Sequence, residues 1–428
     1  MNDLAPVLAA AAAYLIGAIP FGYLIARAKG VDITRQGSGN IGATNVGRIL
    51  GKKLGITVFV LDFAKGALPT LAAVWWAGTP EKLLPVLVGL ATVLGHMFPV
   101  YLRFKGGKGV ATGAGVVFVL LRIPALAGLT TWVAVLCAFG YVSLASVKAG
   151  VAMCIVRLFS IPAPFDREHL VLTLFCLLVA GLVVVRHRSN LQRLRLGTEP
   201  RLQDSPNMLR LGKTIHVLSV GTWFGTVVFF TLVGLLVLIS FDRLTASTTD
   251  RPIWLPAPAA FDKARPSERF PEPLAKEQGR RLFGVAVVPL FVWFYGIQSV
   301  CAVLALATAW AWRERGRLHR LRAQILLVCI VLVGVSWWLD WEVNRRRFVR
   351  SETSDAVLAA LQTSSTAPAE LVTQADAARK DFDSWHSYSL WTNFAMLALV
   401  GVALGMAAHL PEAGTNALLE TKLEKPEE

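Results

Sequence analysis

The sequence has few charged residues for its length. Only 17% of its 428 residues are Asp, Glu, Lys or Arg, whereas an average soluble domain contains about a quarter. Hydrophobic residues make up 54% of the chain. This composition excludes a soluble globular protein and predicts a membrane protein.

Acidic residues are particularly scarce. The chain has 28 Asp and Glu against 43 Lys and Arg, which gives a formal net charge of +15. In a soluble protein this excess would suggest nucleic-acid binding. Here the arginines lie at the ends of apolar stretches, where cations contact anionic lipid headgroups. We therefore expect membrane lipid, and no nucleic acid, as their partner.

Several motifs of common enzyme classes are missing. The five cysteines lie in apolar stretches without a CxxC pair, so neither a disulfide framework nor a thiolate metal site is predicted. The sequence contains no HExxH, no His followed five positions later by Asp, and no GxSxG. The usual signatures of zinc hydrolases, soluble His/Asp acyltransferases and α/β-hydrolases are therefore absent.

Apolar stretches account for most of the chain. A helix needs about 20 residues to cross about 30 Å of hydrocarbon, and the stretches lack the alternation of an outer-membrane barrel. The sequence predicts an all-α polytopic membrane protein with about eleven transmembrane helices. The predicted spans are residues 4–26, 54–78, 83–102, 109–121, 123–143, 146–160, 168–186, 214–241, 282–312, 323–343 and 389–410.

A basic, polar stretch over residues 186–213 separates two halves of the chain. We place a domain boundary near residue 205, with seven spans before it and four after it. The predicted segments are a first membrane domain over 1–205, a second over 206–410, and a polar, disordered tail over 411–428.

The second half has longer polar connections than the first. They are a proline-rich stretch at 252–273 and a polar loop at 344–386. Within that loop, residues 351–362 and 368–382 are predicted to form two short amphipathic or solvated helices.

Lysine and arginine are distributed unequally between the loops of the first half. With the N-terminus outside, the outer loops contain only Lys82, Arg122, Arg157 and Arg167. The inner loops contain more than twice as many basic residues, including the run at 186–213. The positive-inside rule then predicts that the polar clusters described below face the cytoplasm.

The first polar cluster is GSGNIGATNVGR, residues 37–48. Its small residues expose backbone N–H groups, which bind anions, and Arg48 adds a planar fork suited to phosphate. The alternative is a flexible connection between two helices. A plain linker has little need of asparagines and an arginine among its glycines, so we favour an anion site.

The second cluster is GHMFPVYLRFKGGKGVATG, residues 95–113. Lys105 and Lys108 flank two glycines that permit close backbone approach, and the following helix N-terminus attracts anions. The spacing differs from a Walker motif. We expect a phosphate cradle here, while His96 is more commonly a helix-packing residue.

The third cluster is RHRSNLQRLRLGTEPR, residues 186–201. We interpret Arg193 and Arg195 as a basic patch on the lipid surface. His187, Asn190 and Glu199 are unusual for a lipid-facing patch, so we expect them in a site.

Two charged residues, Asp62 and Lys65, interrupt an apolar span. Each charge at mid-membrane costs about 2.5–3.5 kcal/mol on insertion scales, so they should pair or face a polar interior. A structural ion pair and a direct catalytic role both stay open. We treat the two residues as support for the site.

Residues 1–205 closely resemble the bacterial membrane glycerol-3-phosphate acyltransferases that use acyl phosphate. The resemblance rests on the three clusters and on LDFAKG, in the family's order. It implies seven spans in the bacterial inner membrane and transfer of a fatty acyl group from acyl phosphate to sn-glycerol 3-phosphate, the first acylation of phospholipid synthesis. It implies neither coenzyme A nor a metal as cofactor, and it suggests coupling to the enzyme that forms the acyl phosphate.

The resemblance also assigns site residues. For the mechanism we expect that Arg48 and the lysines hold phosphates, that Ser38 and loop N–H groups stabilise the oxyanion, and that His187 or the substrate's own phosphate is the base. The catalytic candidates are Ser38, Arg48, Lys108, His187 and Asn190. The substrate-binding candidates are Gly37, Gly39, Asn40, Thr44, Asn45, Lys105, Gly106, Gly107 and Glu199.

The second half loosely resembles the transmembrane-protein-205-like domains. The similar segments are HVLSVGTWFGTVVFF, VVPLFVWFYG and WHSYSLWTNF, and they imply no stated activity. A polar site between helices and ordinary buried packing both stay open for His216, Trp223, Trp385, His386 and Asn393.

A transporter of a phosphorylated solute is the alternative function for the whole chain. Basic glycine-rich loops would suit it, but transporters usually contain paired repeats with broken helices, and none of the three clusters has a second copy. A structural lipid-binding scaffold needs no anion site. An acyltransferase is therefore favoured.

Overall fold

The computed structural model describes residues 4–202, 206–246, 272–364 and 366–411. Every regular element among these residues is a helix, which confirms the predicted all-α fold. Most of the proline-rich stretch 252–273, and the predicted tail beyond residue 411, lie outside the described residues. The chain forms two compact units, Met1–Ser205 and Pro206–Glu428.

Residues 4–202 of the first unit form ten α-helices connected by short loops. They are α1 Leu4–Ala18, α2 Phe21–Ala28, α3 Ala43–Leu50, α4 Lys52–Ala77, α5 Leu83–Met97, α6 Val110–Leu120, α7 Arg122–Phe139, α8 Val142–Phe159, α9 Leu170–Arg186 and α10 Arg188–Arg195.

Nine helical segments of the two units' described residues are long and apolar enough to cross a membrane. Helices α9 and α10, bent by 54° relative to each other, make a tenth segment if they are one broken span. Helix α6 has only 11 residues, fewer than a perpendicular crossing requires. The number of eleven spans stays a prediction.

Glycines allow two pairs of helices in the first unit to pack with their backbones in close contact. A Cβ atom on Gly17 of α1 would lie 2.2 Å from the carbonyl oxygen of Thr92 on α5. A Cβ on Gly115 of α6 would lie 2.2 Å from the carbonyl oxygen of Phe63 on α4. Small residues at helix crossings are the usual means of association in lipid, because apolar side chains gain little by leaving lipid for protein.

The described residues of the second unit form four long helices, α11 Pro206–Ala246, α12 Glu272–Ala311, α13 Arg317–Thr363 and α14 Ala369–Gly405. Their shared core includes the buried side chains of Trp223, Phe294, Tyr295, Leu326 and Met396.

The predicted polar loop at 344–386 is wrong. Helix α13 continues to Thr363 and α14 starts at Ala369, so only residues 364–368 separate them. The polar side chains pair along and between the helices: Arg346 bonds Glu342 one turn earlier, and its Nε lies 2.9 Å from Asp381 of α14. Residues 351–362 and 369–382 are helical, but they extend the spans instead of forming the predicted separate short helices.

The polar candidates of the second unit have different neighbours. His216 Nδ1 lies 2.8 Å from Thr308 Oγ1, and Trp223 Nε1 donates to Gln298 Oε1 at 3.1 Å. The Trp385 ring stacks under the Arg346 guanidinium. These separate contacts favour packing over one shared polar site.

The close crossing of α4 and α6 predicts an unequal effect of two glycine substitutions. Gly115→Ala should lower the thermal unfolding midpoint of the purified protein, because overpacking costs about 1–3 kcal/mol. Gly181→Ala on α9 should leave the midpoint unchanged or raise it, because a Cβ there meets no atom within 4 Å. Equal midpoints for the two variants would contradict this account of the crossing.

Candidate functional site

The first unit contains a cavity of about 470 Å³. Residues of all three polar clusters line it at one end, and apolar residues of α6, α7, α8 and α9 line the remainder. The predicted site residues in its lining are Ser38, Asn40, Thr44, Asn45, Arg48, Lys108, His187, Asn190 and Glu199.

The side-chain amide of Asn45, on α3, holds the first loop in place. Asn45 Oδ1 accepts a hydrogen bond from the Ser38 backbone N–H at 2.9 Å, and Nδ2 donates to the carbonyls of Gln36 and Asn40 at 3.0 and 2.9 Å. A Cβ on Gly37 would lie 2.4 Å from Asn45 Oδ1. Asn45 therefore positions the loop, and Gly37 provides the space for its amide.

Three other residues of the first cluster leave polar atoms available to a ligand. The side chains of Ser38, Thr44 and Arg48 line the cavity and form no hydrogen bond or ion pair with other described residues. Gly39, with φ of +67°, adopts a left-handed conformation beside Ser38. This side of the cavity thus offers two hydroxyl groups and a guanidinium.

The glycines of the second cluster fit the loop against its surroundings. The Gly107 N–H donates to the His96 carbonyl at 3.1 Å, and a Cβ on Gly107 would lie 2.2 Å from His96 Nε2. Arg186 donates to the carbonyls of Gly106 and Gly107, both at 2.8 Å. Neither glycine lines the cavity, and Lys105 is exposed away from it. Of the four predicted residues in this loop, only Lys108 reaches the cavity.

Glu199 connects the second and third clusters. Its Oε1 accepts hydrogen bonds from Asn190 Nδ2 at 2.7 Å and from Ser143 Oγ at 2.8 Å. Its Oε2 accepts from Arg193 Nε at 2.9 Å. Asn190 Oδ1 in turn accepts a hydrogen bond from Lys108 Nζ. Arg193, interpreted from the sequence as part of a lipid-facing patch, thus also takes part in this network.

The pKa values of Lys108 and Glu199 differ from those of free side chains. Burial lowers the pKa of Lys108, and the opposing effects of the Glu199 carboxylate and three nearby arginines leave this pKa at about 8. Burial raises the pKa of Glu199, but hydrogen bonds from Asn190, Ser143 and Arg193 outweigh it and hold this pKa below its usual value. Glu199 is thus an anion at neutral pH, and Lys108 is a cation that loses its charge under mildly alkaline conditions.

His187 is fixed at the bend between α9 and α10. Its side chain is 2% exposed, and Nδ1 lies 2.7 Å from the carbonyl oxygen of Val183. A carbonyl oxygen only accepts, so Nδ1 carries the proton. Burial lowers the pKa of His187 to about 4, so the ring is neutral at neutral pH and Nε2 has a lone pair that can accept a proton.

A buried ion pair lies beside the polar end of the cavity. Asp62 Oδ1 lies 2.8 Å from Lys65 Nζ and 3.7 Å from His96 Nδ1, and Lys65 also donates to the Ile19 carbonyl at 2.7 Å. The predicted pairing of Asp62 with Lys65 is confirmed. Asp62 and His96 line the cavity, so His96 lies at the site although packing was the expected role.

Two serines and the apolar walls of the cavity were not predicted from the sequence. Ser143 and Ser146 line the cavity from the first turns of α8, and Ser146 Oγ accepts from Trp132 Nε1 at 3.2 Å. Serines three residues apart are common in membrane helices, so they gave no distinct signal. Cationic and neutral donors at one end, with apolar walls beyond, suit a ligand that has an anionic head and a hydrocarbon chain.

Comparison with known proteins agrees with this arrangement. Residues 7–197 match the family model of glycerol-3-phosphate acyltransferase. Over 190 residues, the chain is 48% identical to the glycerol-3-phosphate acyltransferase of Aquifex aeolicus, covering 44% of this chain and 95% of that protein. It is 47% identical to that of Anaeromyxobacter sp. strain Fw109-5, covering 45% of this chain and 94% of the relative.

A solved structure is also similar to the first unit. It is PlsY (YgiH), an integral membrane glycerol 3-phosphate acyltransferase, in its glycerol 3-phosphate form. The sequences are 42% identical, the match covers 46% of this chain and 94% of that one, and the TM-score is 0.43. Since the chain covers nearly the full length of relatives that are almost half identical to it, it belongs to the glycerol-3-phosphate acyltransferase family, whose enzymes transfer an acyl group to glycerol 3-phosphate.

Proposed function

We propose that the first unit, residues 1–205, transfers a fatty acyl group from acyl phosphate to sn-glycerol 3-phosphate. The products are 1-acylglycerol 3-phosphate and inorganic phosphate. The observation that carries the proposal is the position of Arg48 and of the Lys108–Asn190–Glu199 network at the polar end of a cavity with apolar walls. Both substrates carry phosphate, and the donor also carries a hydrocarbon chain.

In the proposed reaction the glycerol hydroxyl oxygen attacks the acyl carbonyl carbon. The bond between this carbon and the phosphate oxygen breaks, and phosphate leaves with the electron pair. An acyl phosphate is already activated, so alignment and charge neutralisation supply most of the catalysis. The reaction needs neither coenzyme A nor a metal.

We assign roles to the residues that line the cavity. Arg48 and Lys108 neutralise the phosphate groups, and Ser38 with the neighbouring loop N–H groups stabilises the oxyanion that forms on the acyl carbonyl. The proton of the glycerol hydroxyl passes to His187 Nε2 or to the substrate's own phosphate. Lys105 has no role in this proposal, because it lies away from the cavity.

We further propose that the protein lies in the bacterial inner membrane with this site facing the cytoplasm. The unequal distribution of lysine and arginine between the loops supports this orientation, and functional coupling to the enzyme that forms acyl phosphate would follow from it. The second unit remains assigned, by loose resemblance, to the transmembrane-protein-205-like domains, without a proposed activity.

The donor is tested by an assay of the purified full chain with glycerol 3-phosphate. We expect formation of 1-acylglycerol 3-phosphate and phosphate from acyl phosphate, and little product from the matching acyl-coenzyme A, because the polar end of the cavity has cations for a compact phosphate leaving group. Product formation is measured by mass spectrometry. Equal or faster turnover of the coenzyme A ester would contradict the donor assignment.

The ionisation of Lys108 predicts a fall in activity at alkaline pH. Because its pKa is about 8, the cation is present below pH 8 and is lost above it, so kcat/KM should decrease as the pH rises through this value. In Lys108→Arg the guanidinium stays protonated, so the alkaline fall should disappear even if the rate is lower. Lys108→Ala should lose about 10²–10³-fold in kcat at neutral pH.

The measurement for this prediction is a pH profile of kcat/KM from neutral pH to about three units above it for each variant. The matched control is Lys105→Arg, which makes the same substitution at an exposed lysine of the same loop that does not line the cavity. Its profile should coincide with that of the wild type. The same alkaline fall in Lys108→Arg as in the wild type would assign the titration to another group.

The proposed orientation is tested by labelling single cysteines in a cysteine-free variant. Cysteines at the exposed positions Gln36, Lys105 and Thr198 should react with a membrane-impermeant maleimide only from the cytoplasmic side. A cysteine at exposed Glu81, in the loop after α4, is the control and should react from outside. Labelling at any of the first three positions from outside intact cells would contradict the orientation.

A further inference from the structure

The cavity extends far below its polar end. On α8, Ser143 contacts Glu199 at the polar end, and Met153, which also lines the cavity, follows ten residues later, about 15 Å along the helix axis. On α9, Val179 lies eight residues before His187, about 12 Å along the axis. The lining residues of α8 and α9 therefore indicate a similar depth for the apolar part of the cavity.

At its far end the cavity is lined by side chains that belong to the packed core of the unit or contact it. Met153 packs against the cluster of buried residues that includes Val117, Ala125 and Val179, and all four side chains belong to the cavity lining. Ala125 is small, so Met153 contributes the longest flexible side chain at this end. Its unbranched chain can adapt to the shape of a neighbour.

Gly128 of α7 provides the space that Met153 occupies. A Cβ atom on Gly128 would lie 2.7 Å from Met153 Cγ and 3.0 Å from Sδ. Gly128 also lines the cavity. The position of the methionine therefore depends directly on the absence of a side chain at Gly128.

We propose that Met153, seated against Gly128, is the floor of an acyl-chain compartment and sets the longest acyl chain that the enzyme transfers efficiently. This rests on the proposed function, because it takes the acyl chain of the donor as the occupant. Each methylene buried above the floor strengthens binding about fourfold, from about 0.8 kcal/mol per methylene. Methylene groups beyond the floor do not strengthen binding further, because they meet Met153 and the core behind it.

The test is a competition among donors with the purified full chain. Saturated acyl phosphates that differ by two carbon atoms, from decanoyl to stearoyl phosphate, compete for glycerol 3-phosphate in one reaction, and the product ratios give the relative kcat/KM values. Met153→Ala should shift the preferred length upward by at least one two-carbon step. Met153→Phe should shift it downward, and each should change the ratio of the longest to the shortest product by about tenfold.

A matched control distinguishes the floor from a general effect on α8. Ile155, on the same helix, is 51% exposed and does not line the cavity, so Ile155→Ala should keep the wild-type product ratios. Gly128→Ala provides a second route, because it displaces Met153 and should change the ratios without altering Met153 itself. Thermal unfolding of each variant shows whether it is folded.

The outcomes separate the two levels of the proposal. Wild-type ratios in folded Met153→Ala and Gly128→Ala would overturn the floor while leaving acyl transfer intact. If the wild type transfers no acyl group from any acyl phosphate, the proposed function fails and the floor fails with it. A length shift in the Met153 variants that is absent in Ile155→Ala would establish the floor.

Discussion

The arrangement of the site depends on one buried carboxylate. Glu199 accepts hydrogen bonds from Ser143 at the start of α8 and from Asn190 and Arg193 of α10, and Asn190 connects it to Lys108 before α6. Residues as far apart in sequence as Lys108 and Asn190, 82 positions, are thereby held at one end of the cavity. A buried anion is unfavourable unless it is paired and hydrogen-bonded, and here those same bonds determine where Asn190 and Lys108 lie.

The membrane imposes a second requirement on the first unit. Apolar side chains gain little by leaving lipid for a protein interior, so close backbone packing must contribute to helix association. Gly17 and Gly115 permit this packing at the α1–α5 and α4–α6 crossings. With the helices held in this way, the unit can keep a large cavity between α6, α7, α8 and α9.

Much of the fold was predictable, because long apolar stretches commonly form α-helices in a membrane. Apolar patterning also placed the three clusters in loops and helix ends, and nine of the fourteen predicted site residues line one cavity. It did not predict that helices α13 and α14 continue through residues 344–386, because ion pairs such as Arg346–Asp381 depend on which polar faces meet in space.

Residue type alone also could not distinguish side chains that offer polar atoms to the cavity from side chains that hold the loops in place. Asn45 and Gly107 belong to the same motifs as Arg48 and Lys108, yet the Asn45 amide bonds the loop backbone and Gly107 leaves room for His96. Arg193, interpreted as a lipid-surface residue, also bonds Glu199. The sequence pattern marks the segments that form the site, and the packing decides which members face the cavity.

The 54° bend after Arg186 determines the positions of two parts of the site, the His187 ring and the Asn190 amide. At this bend the Val183 carbonyl accepts from both the backbone N–H and the ring of His187, while α10 turns toward the Glu199 carboxylate. Straightening the bend would withdraw the imidazole and the Asn190 amide together. The positions of His187, a proposed base, and of Asn190, which bonds Lys108, are therefore coupled. A change in the length of the chain between His187 and Glu199 would displace both at once.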